Sequence, residues 1–393
     1  MIGKLFSAAR DEWFLAVSIG VALLIWAAAP VIMETFAGPG RQALLFGGLF
    51  GVALGSCLAV VRHADHLAVR LGEPYGTLIL TLAITVIEVL SISAMTVHTE
   101  PNPGLVRDTI FAVVMILLNG MVGISLLLGG WRHREQQFNL QGANVYLGVI
   151  TPLLVLSLIL PDFTISTPGP TFTIAQEDFV GFASIGLYVA FIAVQTIRHR
   201  SYFVHGELGL AGDHEIGHGA PRAVWVHGVL LVAYMAPLVY LAEQMTRPVA
   251  FLLKALHGPE ALGGVVIAML VAAPEAVGAV RAAAANQLQR SMNIFLGSVL
   301  STIGLTIPAM IAISQWNGEK IVLGLQNANA VMLVLTLSVS VITFASGRTN
   351  VLQGAIHLVL FGAYILLIFQ GYFLPYFFEN FFTTFTSSGW TDG

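Results

Sequence analysis

Eleven apolar runs, most of them about twenty residues long and nearly free of charge, constrain this chain more than any other feature. A helix needs about 20 such residues to cross the hydrocarbon of a bilayer. Each run therefore predicts a transmembrane helix: 13–35, 42–61, 75–97, 109–130, 145–160, 178–197, 223–243, 261–284, 292–313, 328–346 and 351–372. Of the 393 residues, 56% are hydrophobic and 10% charged, where a soluble domain carries roughly 25% charged residues. The fold class expected is an all-α integral membrane protein with eleven transmembrane helices.

Other classes fall away quickly. A net charge of −4 is too small to point to a nucleic-acid or acidic partner, and the lipid bilayer is the partner that composition implies. The single cysteine, Cys57, excludes a disulfide framework and reads as apolar filler. No P-loop is present, so nucleotide hydrolysis on this chain does not drive it, and no lipidation box or retention signal stands out. The first span, followed by AAAP at 27–30, has one trait of a signal peptide, but Asp11 and Glu12 just before it argue for a retained helix.

Lys and Arg set the orientation. With the N-terminus in the cytoplasm and the loops sorted alternately, 12 of these residues fall inside and 5 outside. The C-terminus is then extracytoplasmic.

The halves repeat. Residues 1–41 hold an extra N-terminal span, 42–197 five spans, 198–222 a cytoplasmic histidine-bearing linker, 223–372 five more spans and 373–393 a tail. Five is odd, so the second set enters the membrane from the opposite face, the inverted repeat of secondary transporters. Glu88 is the lone charge of span 75–97, and Glu275 is the only charged side chain from Ala261 to Val280. They lie 187 positions apart, against 181 between the starts of the halves. VGISL at 122–126 also pairs with IGLTI at 303–307.

A charge at mid-bilayer costs about 2.5–3.5 kcal/mol on the insertion scale and usually marks function. Either glutamate alone could be a protonated group bonded to a neighbouring helix. Two at matching depth in inverted repeats should instead meet at the pseudo-two-fold axis, where the substrate sites of such transporters lie. Repulsion and lost hydration both disfavour the doubly charged state, so the empty pair should hold protons and titrate as one unit. A divalent cation taking oxygen ligands could displace those protons, which is the physical basis of cation/proton exchange. Further oxygen ligands are sought at Thr81, Thr85 and Ser91 on the Glu88 span, at Asn119, and at Ser298, Ser301 and Thr302. For each of these an interhelical hydrogen bond is the plainer alternative. Pro274 removes a backbone donor just before Glu275; it either frees carbonyls towards a cavity or only kinks the helix.

Residues 214–218 read HEIGH, a literal match to the zinc-protease pattern. Gly212, Gly217, Gly219 and Pro221 disfavour the helix that would align His214 and His218 on one face with Glu215 as base. A solvated linker is the first reading, with metal or pH sensing second and a membrane metalloprotease third. WRHREQQ at 131–137 reads as an interfacial anchor, RHADH at 62–66 as a solvated turn or an entrance group, and His227 and His357 as packed or hydrogen-bonded.

GEPYGTLILTLAITVIEV (72–89) and APEAVGAVRAAAANQLQRSMNIFLGSVLSTIGLTIPAM (273–310) resemble the two repeats of the calcium/cation antiporter superfamily, in particular its bacterial calcium/proton exchanger branch of the ChaA type. The similarity runs across nearly the whole chain. It implies eleven spans, a cation site between the repeats, and proton-driven export across the bacterial inner membrane. The family's two repeat glutamates fall on Glu88 and Glu275, which the resemblance makes both metal-binding and proton-binding. The commoner family pattern has glycine then asparagine shortly before each glutamate; here Ile84 and Thr85, and Val271 and Ala272, stand there. Members resembling this branch are associated with sodium and potassium as well as calcium.

The leading expectation is thus a Ca2+/H+ antiporter exporting calcium, with no cofactor beyond the transported ions. A Na+(K+)/H+ antiporter on the same scaffold, a passive cation channel and the protease are the rivals. A homo-oligomer is compatible with each.

Overall fold

A computed structural model describes residues 12–35, 38–72, 74–98, 103–204, 223–256, 258–259 and 261–387. Each expected span coincides with helix. The order is α1 (Trp13–Thr35), α2 (Pro39–Leu71), α3 (Tyr75–His98), α4 (Leu105–His133), α5 (Leu140–Phe163) and α6 (Ile174–Arg198). There follow α7 (Val224–Gln244), α8 (Thr246–Ala255), α9 (Ala261–Val271), α10 (Ala273–Ala284), α11 (Leu288–Asn317), α12 (Asn327–Phe344) and α13 (Val351–Ser387). Two three-residue strands, β1 (Glu135–Gln137) and β2 (Arg348–Asn350), pair antiparallel with Gln136 opposite Thr349. Among the described residues, eight helices are long and apolar enough to cross a membrane, counting α7 with α8 as one, and Trp13–Ala28 and Tyr75–Val86 are shorter apolar helices.

Two segments differ from expectation, each for a local reason. RHADH is not a turn. It lies inside the 33-residue α2, because His63, Ala64, Leu67 and Ala68 form a buried face there at helical spacing. The apolar run 261–284 is divided into two helices by a kink at Ala272 (φ −78°, ψ −3°), which keeps its hydrogen bonds to Ala268 and from Ala276, and Pro274 opens α10. Proline is well placed in a first helical turn, where its missing N–H has no helical partner anyway. The span 223–243 is α7 as expected, and past Met245 the stretch after it, read as a loop, forms the short helix α8.

The two most buried spans are α4 and α11, and the main core forms around them from Leu117, Leu118, Phe295, Leu296 and Ile303. Lipid tails are as apolar as leucine, so helix association in a bilayer depends on close packing and small residues. The crossing of α4 and α13 illustrates this: a Cβ on Gly123 would meet Leu358, and one on Gly354 would overlap the Leu127 backbone. Cys57 is filler in a second cluster with Leu49 and Leu238, where α2 packs on α7. Leu44, Phe182, Ile342 and Val359 are exposed on the outside, as lipid-facing side chains would be.

One end of the bundle collects the ends of many helices. There β1 meets β2, Tyr75 Oη donates to the Thr196 carbonyl at 3.2 Å, and the Arg200 guanidinium sits 5.0 Å from the Tyr75 ring centre. WRHREQQ does more here than anchor. Trp131 is exposed, but Gln136 is buried and donates to the Ala283 carbonyl at 2.8 Å, and His133 Nε2 lies 2.9 Å from the Ala284 carbonyl, at the C-terminus of α10. We call this the basic end, since Arg62, Arg70, Arg132, Arg134, Arg198, Arg281, Arg290 and Arg348 all belong to the segments that meet there.

Candidate functional site

Both glutamates are buried at the centre of the bundle, Glu88 at 8% and Glu275 at 1% exposure. Three helices place them. α3 carries Glu88 on an unbroken helix, α10 carries Glu275 in its first turn just past the break, and α11 supplies a hydroxyl to each. Ser298 Oγ donates to Glu275 Oε2 at 2.7 Å, and Thr302 Oγ1 donates to Glu88 Oε2 at 2.9 Å. Ser298 and Thr302 are four residues apart, about 6 Å along a helix axis. The two acids thus hang from adjacent turns of one helix.

Of the other residues singled out in the sequence, some join this centre and some do not. Thr85 Oγ1 donates to Ser301 Oγ at 2.8 Å, and Ser301 bonds the Ser298 carbonyl at 3.0 Å. Ala272 is buried at the break itself. Thr81 lies one turn nearer the basic end, its hydroxyl bonded to the Leu78 carbonyl. Asn119 is elsewhere: its Nδ2 donates to Thr336 at 2.9 Å, and its Oδ1 lies 3.4 Å from His357 Nδ1. His357 is buried and pairs with Thr343 at 3.0 Å. The side chain of Ser91 is outside the described residues.

Each carboxyl keeps one oxygen in reserve. Glu88 Oε1 and Glu275 Oε1 are buried with no hydrogen-bond partner among the described residues. A buried carboxylate oxygen left so costs about 1–3 kcal/mol or more, and a bound proton or cation removes that cost. The neighbouring backbone contributes too. Pro274 supplies no N–H to the carbonyl four residues before it, Leu270, and α11 passes through a π-helical turn at Thr302–Thr306. Such turns often mark functional sites.

Between this centre and the basic end, Thr77, Tyr146, Gln195, Asn293, Asp65 and Arg290 join the residues expected from sequence. Thr77, Thr81, Thr85 and Glu88 repeat at helical spacing along one face of α3, a row that was legible in the sequence. A small cavity of about 10 Å³ borders it, lined by Thr77, Thr81, Tyr146, Gln195, Asn293 and Gly297. A second cavity of about 10 Å³ lies between α2, α3, α10 and α11, with Asp65, Thr77, Gly278, Arg290 and Ile294 in its wall. Within that lining Arg290 Nη2 bonds Asp65 Oδ1 at 2.7 Å, and both side chains are partly exposed. With side-chain exposures of 22% and 41%, a pair of this kind is worth about 0–1 kcal/mol. Only the fold joins Asp65 to Arg290, which are 225 residues apart. Farther along α2, His63 Nδ1 lies 3.0 Å from His227 Nδ1 and Arg62 bonds Glu12, so both histidines are packed against partners.

The HEIGH segment, with His214, Glu215 and His218, lies outside the described residues. Among the described residues no group of three or more His, Cys, Asp or Glu could hold a metal ion.

Comparison with known proteins agrees with this architecture. The family model for sodium/calcium exchanger protein matches residues 41–197 and 226–370. The chain is 38% identical over 352 residues to the sodium-potassium/proton antiporter ChaA of Escherichia coli, covering 89% of this chain and 93% of that protein. It is 22% identical over 325 residues to the Ca2+/H+ antiporter ChaA of Bacillus subtilis, covering 82% of this chain and 89% of that one. Its fold is similar to the solved structure of native YfkE, with a TM-score of 0.65 at 18% identity, covering 91% of this chain and 99% of that one. The family is one of transporters, so the protease reading of HEIGH is dropped. The chain belongs to the sodium/calcium exchanger family: it is a multi-pass membrane transporter and not an enzyme.

Proposed function

We propose that the protein is a secondary active cation/proton antiporter in which Glu88 and Glu275 bind the cation and protons in turn, exporting calcium from the cytoplasm of a bacterial cell across its inner membrane. One observation carries this reading. Two buried carboxyls hang from adjacent turns of α11, and each has an oxygen with no partner among the described residues. Two carboxylates that close are costly when both are bare. Two protons or one divalent ion neutralise them equally, so each loaded form can cross a barrier that the empty, charged form cannot.

The scaffold in this reading has eleven spans, α1 preceding two inverted five-span repeats, with the N-terminus cytoplasmic. Of the four π-helical turns among the described residues, two lie in α5 and α6, and the two in the most buried helices support the doubling. They begin at Ile116 in α4 and Thr302 in α11, 186 positions apart, close to the 187 between the glutamates. The pairing of VGISL with IGLTI, offset by 181, fits this spacing less well. The gathering of arginines at the basic end supports a cytoplasmic assignment for that end.

A second reading keeps the mechanism and changes the cargo. The relative at 38% identity is named a sodium-potassium/proton antiporter, and the residues before each glutamate are Thr85 and Ala272 rather than amides, so sodium or potassium would occupy the same carboxyls. One assay separates the cases. Proton movement is followed in proteoliposomes as calcium, sodium, potassium or magnesium is added separately. Calcium-driven proton release is the expected result. Cation flux that ignores the proton gradient would mean a channel and overturn the proposal.

A further inference from the structure

We propose that Asp65 is a docking station for the transported cation at the basic end, and that the Arg290 guanidinium is its resident stand-in, closing the passage to Glu275 when no cation is there. This rests on the transport reading above and adds a site outside the glutamate pair.

The geometry is specific. The cavity behind the pair is walled by Gly278, which is three residues past Glu275 on α10, and by Ile294, four residues before Ser298 on α11. It therefore ends one helical turn from the hydroxyl that holds Glu275. Its wall is narrow for lack of side chains. A Cβ on Gly76 would overlap the Ala68 backbone, so α3 starts tight against α2, and Gly278 leaves open the space beside Ile294. Asp65 is the one carboxylate in the lining, and the 2.7 Å bond from Arg290 spans from the α2 wall to the α11 wall.

An arginine placed on the only acid of such a cavity does two things. It satisfies Asp65 with a positive charge that cannot be lost by deprotonation, and it ties α2 to α11. A cation arriving from solution competes for the same oxygens. Half-exposed ion pairs are weak and screened by salt, so the exchange is feasible in each cycle, and displacing the guanidinium removes the tie between the two helices. The carboxylate also raises the local cation concentration before the ion reaches the glutamates.

The two partners therefore have opposite expected effects, which a merely structural bridge would not show. Initial exchange rates are measured in proteoliposomes of known orientation, with calcium chloride and sodium chloride in separate series, added at the basic end or at the opposite face. Asp65→Asn should raise the KM several-fold at the basic end and leave the opposite-face KM unchanged. Arg290→Gln should lower the basic-end KM, because the station no longer carries its own cation. Gly278→Val should slow exchange by filling the cavity without altering any charge. KM values that move the same way in both charge variants, or equally at both faces, would overturn the station. Where Asp65→Asn fails to insert, Arg290→Gln still decides: a raised or unchanged basic-end KM sinks the idea. A wild-type protein that exchanges no cation for protons defeats the transport reading instead, a different result from a transporter indifferent to Asp65.

Discussion

Glu88 of α3 and Glu275 of α10 are held by hydroxyls one turn apart on a third helix, Thr302 at 2.9 Å and Ser298 at 2.7 Å. α11 is thus the one helix hydrogen-bonded to both acids among the contacts described. In the proposed transport cycle, a proton or cation gained at one glutamate would be felt at the other through charge. This arrangement is open to direct tests.

Glu88→Gln and Glu275→Gln are each expected to reduce exchange to background. Glutamine keeps the shape and still accepts the bond from Thr302 or Ser298, so membrane insertion should be intact. Calcium-driven proton flux in vesicles is the measurement, and substantial flux in either variant would remove that residue from the transport cycle.

Thr302→Val and Ser298→Ala each delete a donor to a buried carboxyl. Hydrogen bonds to charged groups contribute about 1.5–3 kcal/mol, so cation affinity at fixed pH should fall about tenfold or more. The measurement is the cation concentration for half-maximal exchange in proteoliposomes, and an unchanged value in both variants would remove the hydroxyls from the site. Thr336→Val is the control. That hydroxyl is equally buried but bonds Asn119 rather than either glutamate, so its cation affinity should stay in place.

Pro274→Ala restores the backbone N–H missing at the start of α10 and allows α9 and α10 to run on as one helix. Turnover is expected to drop while the protein remains folded, since a continuous helix would remove the irregular backbone beside Glu275. Unchanged turnover in a stable variant would reduce the break to a packing kink.

Gly354→Val forces α13 away from α4, since a side chain there would overlap the Leu127 backbone. Overpacking of this kind costs about 1–3 kcal/mol, and the thermal unfolding midpoint in detergent should fall. Gly148→Ala in α5 has open space around its added carbon and should leave the midpoint where it is.

How much of this was legible beforehand differs from residue to residue. The spans were, because the cost of exposing polar groups to lipid writes itself into every run of twenty residues. Glu88 and Glu275 were conspicuous for the same reason, as isolated charges in such runs. Thr85, Ser298, Ser301 and Thr302 were picked out as neighbours in sequence, and the fold gathers them. Asn119 passed the same screen and faces Thr336 and His357 instead, since a polar residue in a span says only that a partner exists, not which one. RHADH looked like a solvated turn because charge and histidine usually mean water. The burial of His63 at 1% exposure beside His227 is a fact about α7, which the local sequence does not contain.

The chain alone determined that it lives in a bilayer, where its helices run, that two carboxyls are buried in them, and which exchanger superfamily it resembles. All of these follow from local solvation or from residue patterns contiguous in sequence. Tertiary structure decided which hydroxyl meets which acid, where the helix before Glu275 stops, and that Asp65 faces Arg290 across 225 residues. Pairings of that kind depend on how rigid helices cross, and a crossing is set by the small residues of both partners at once.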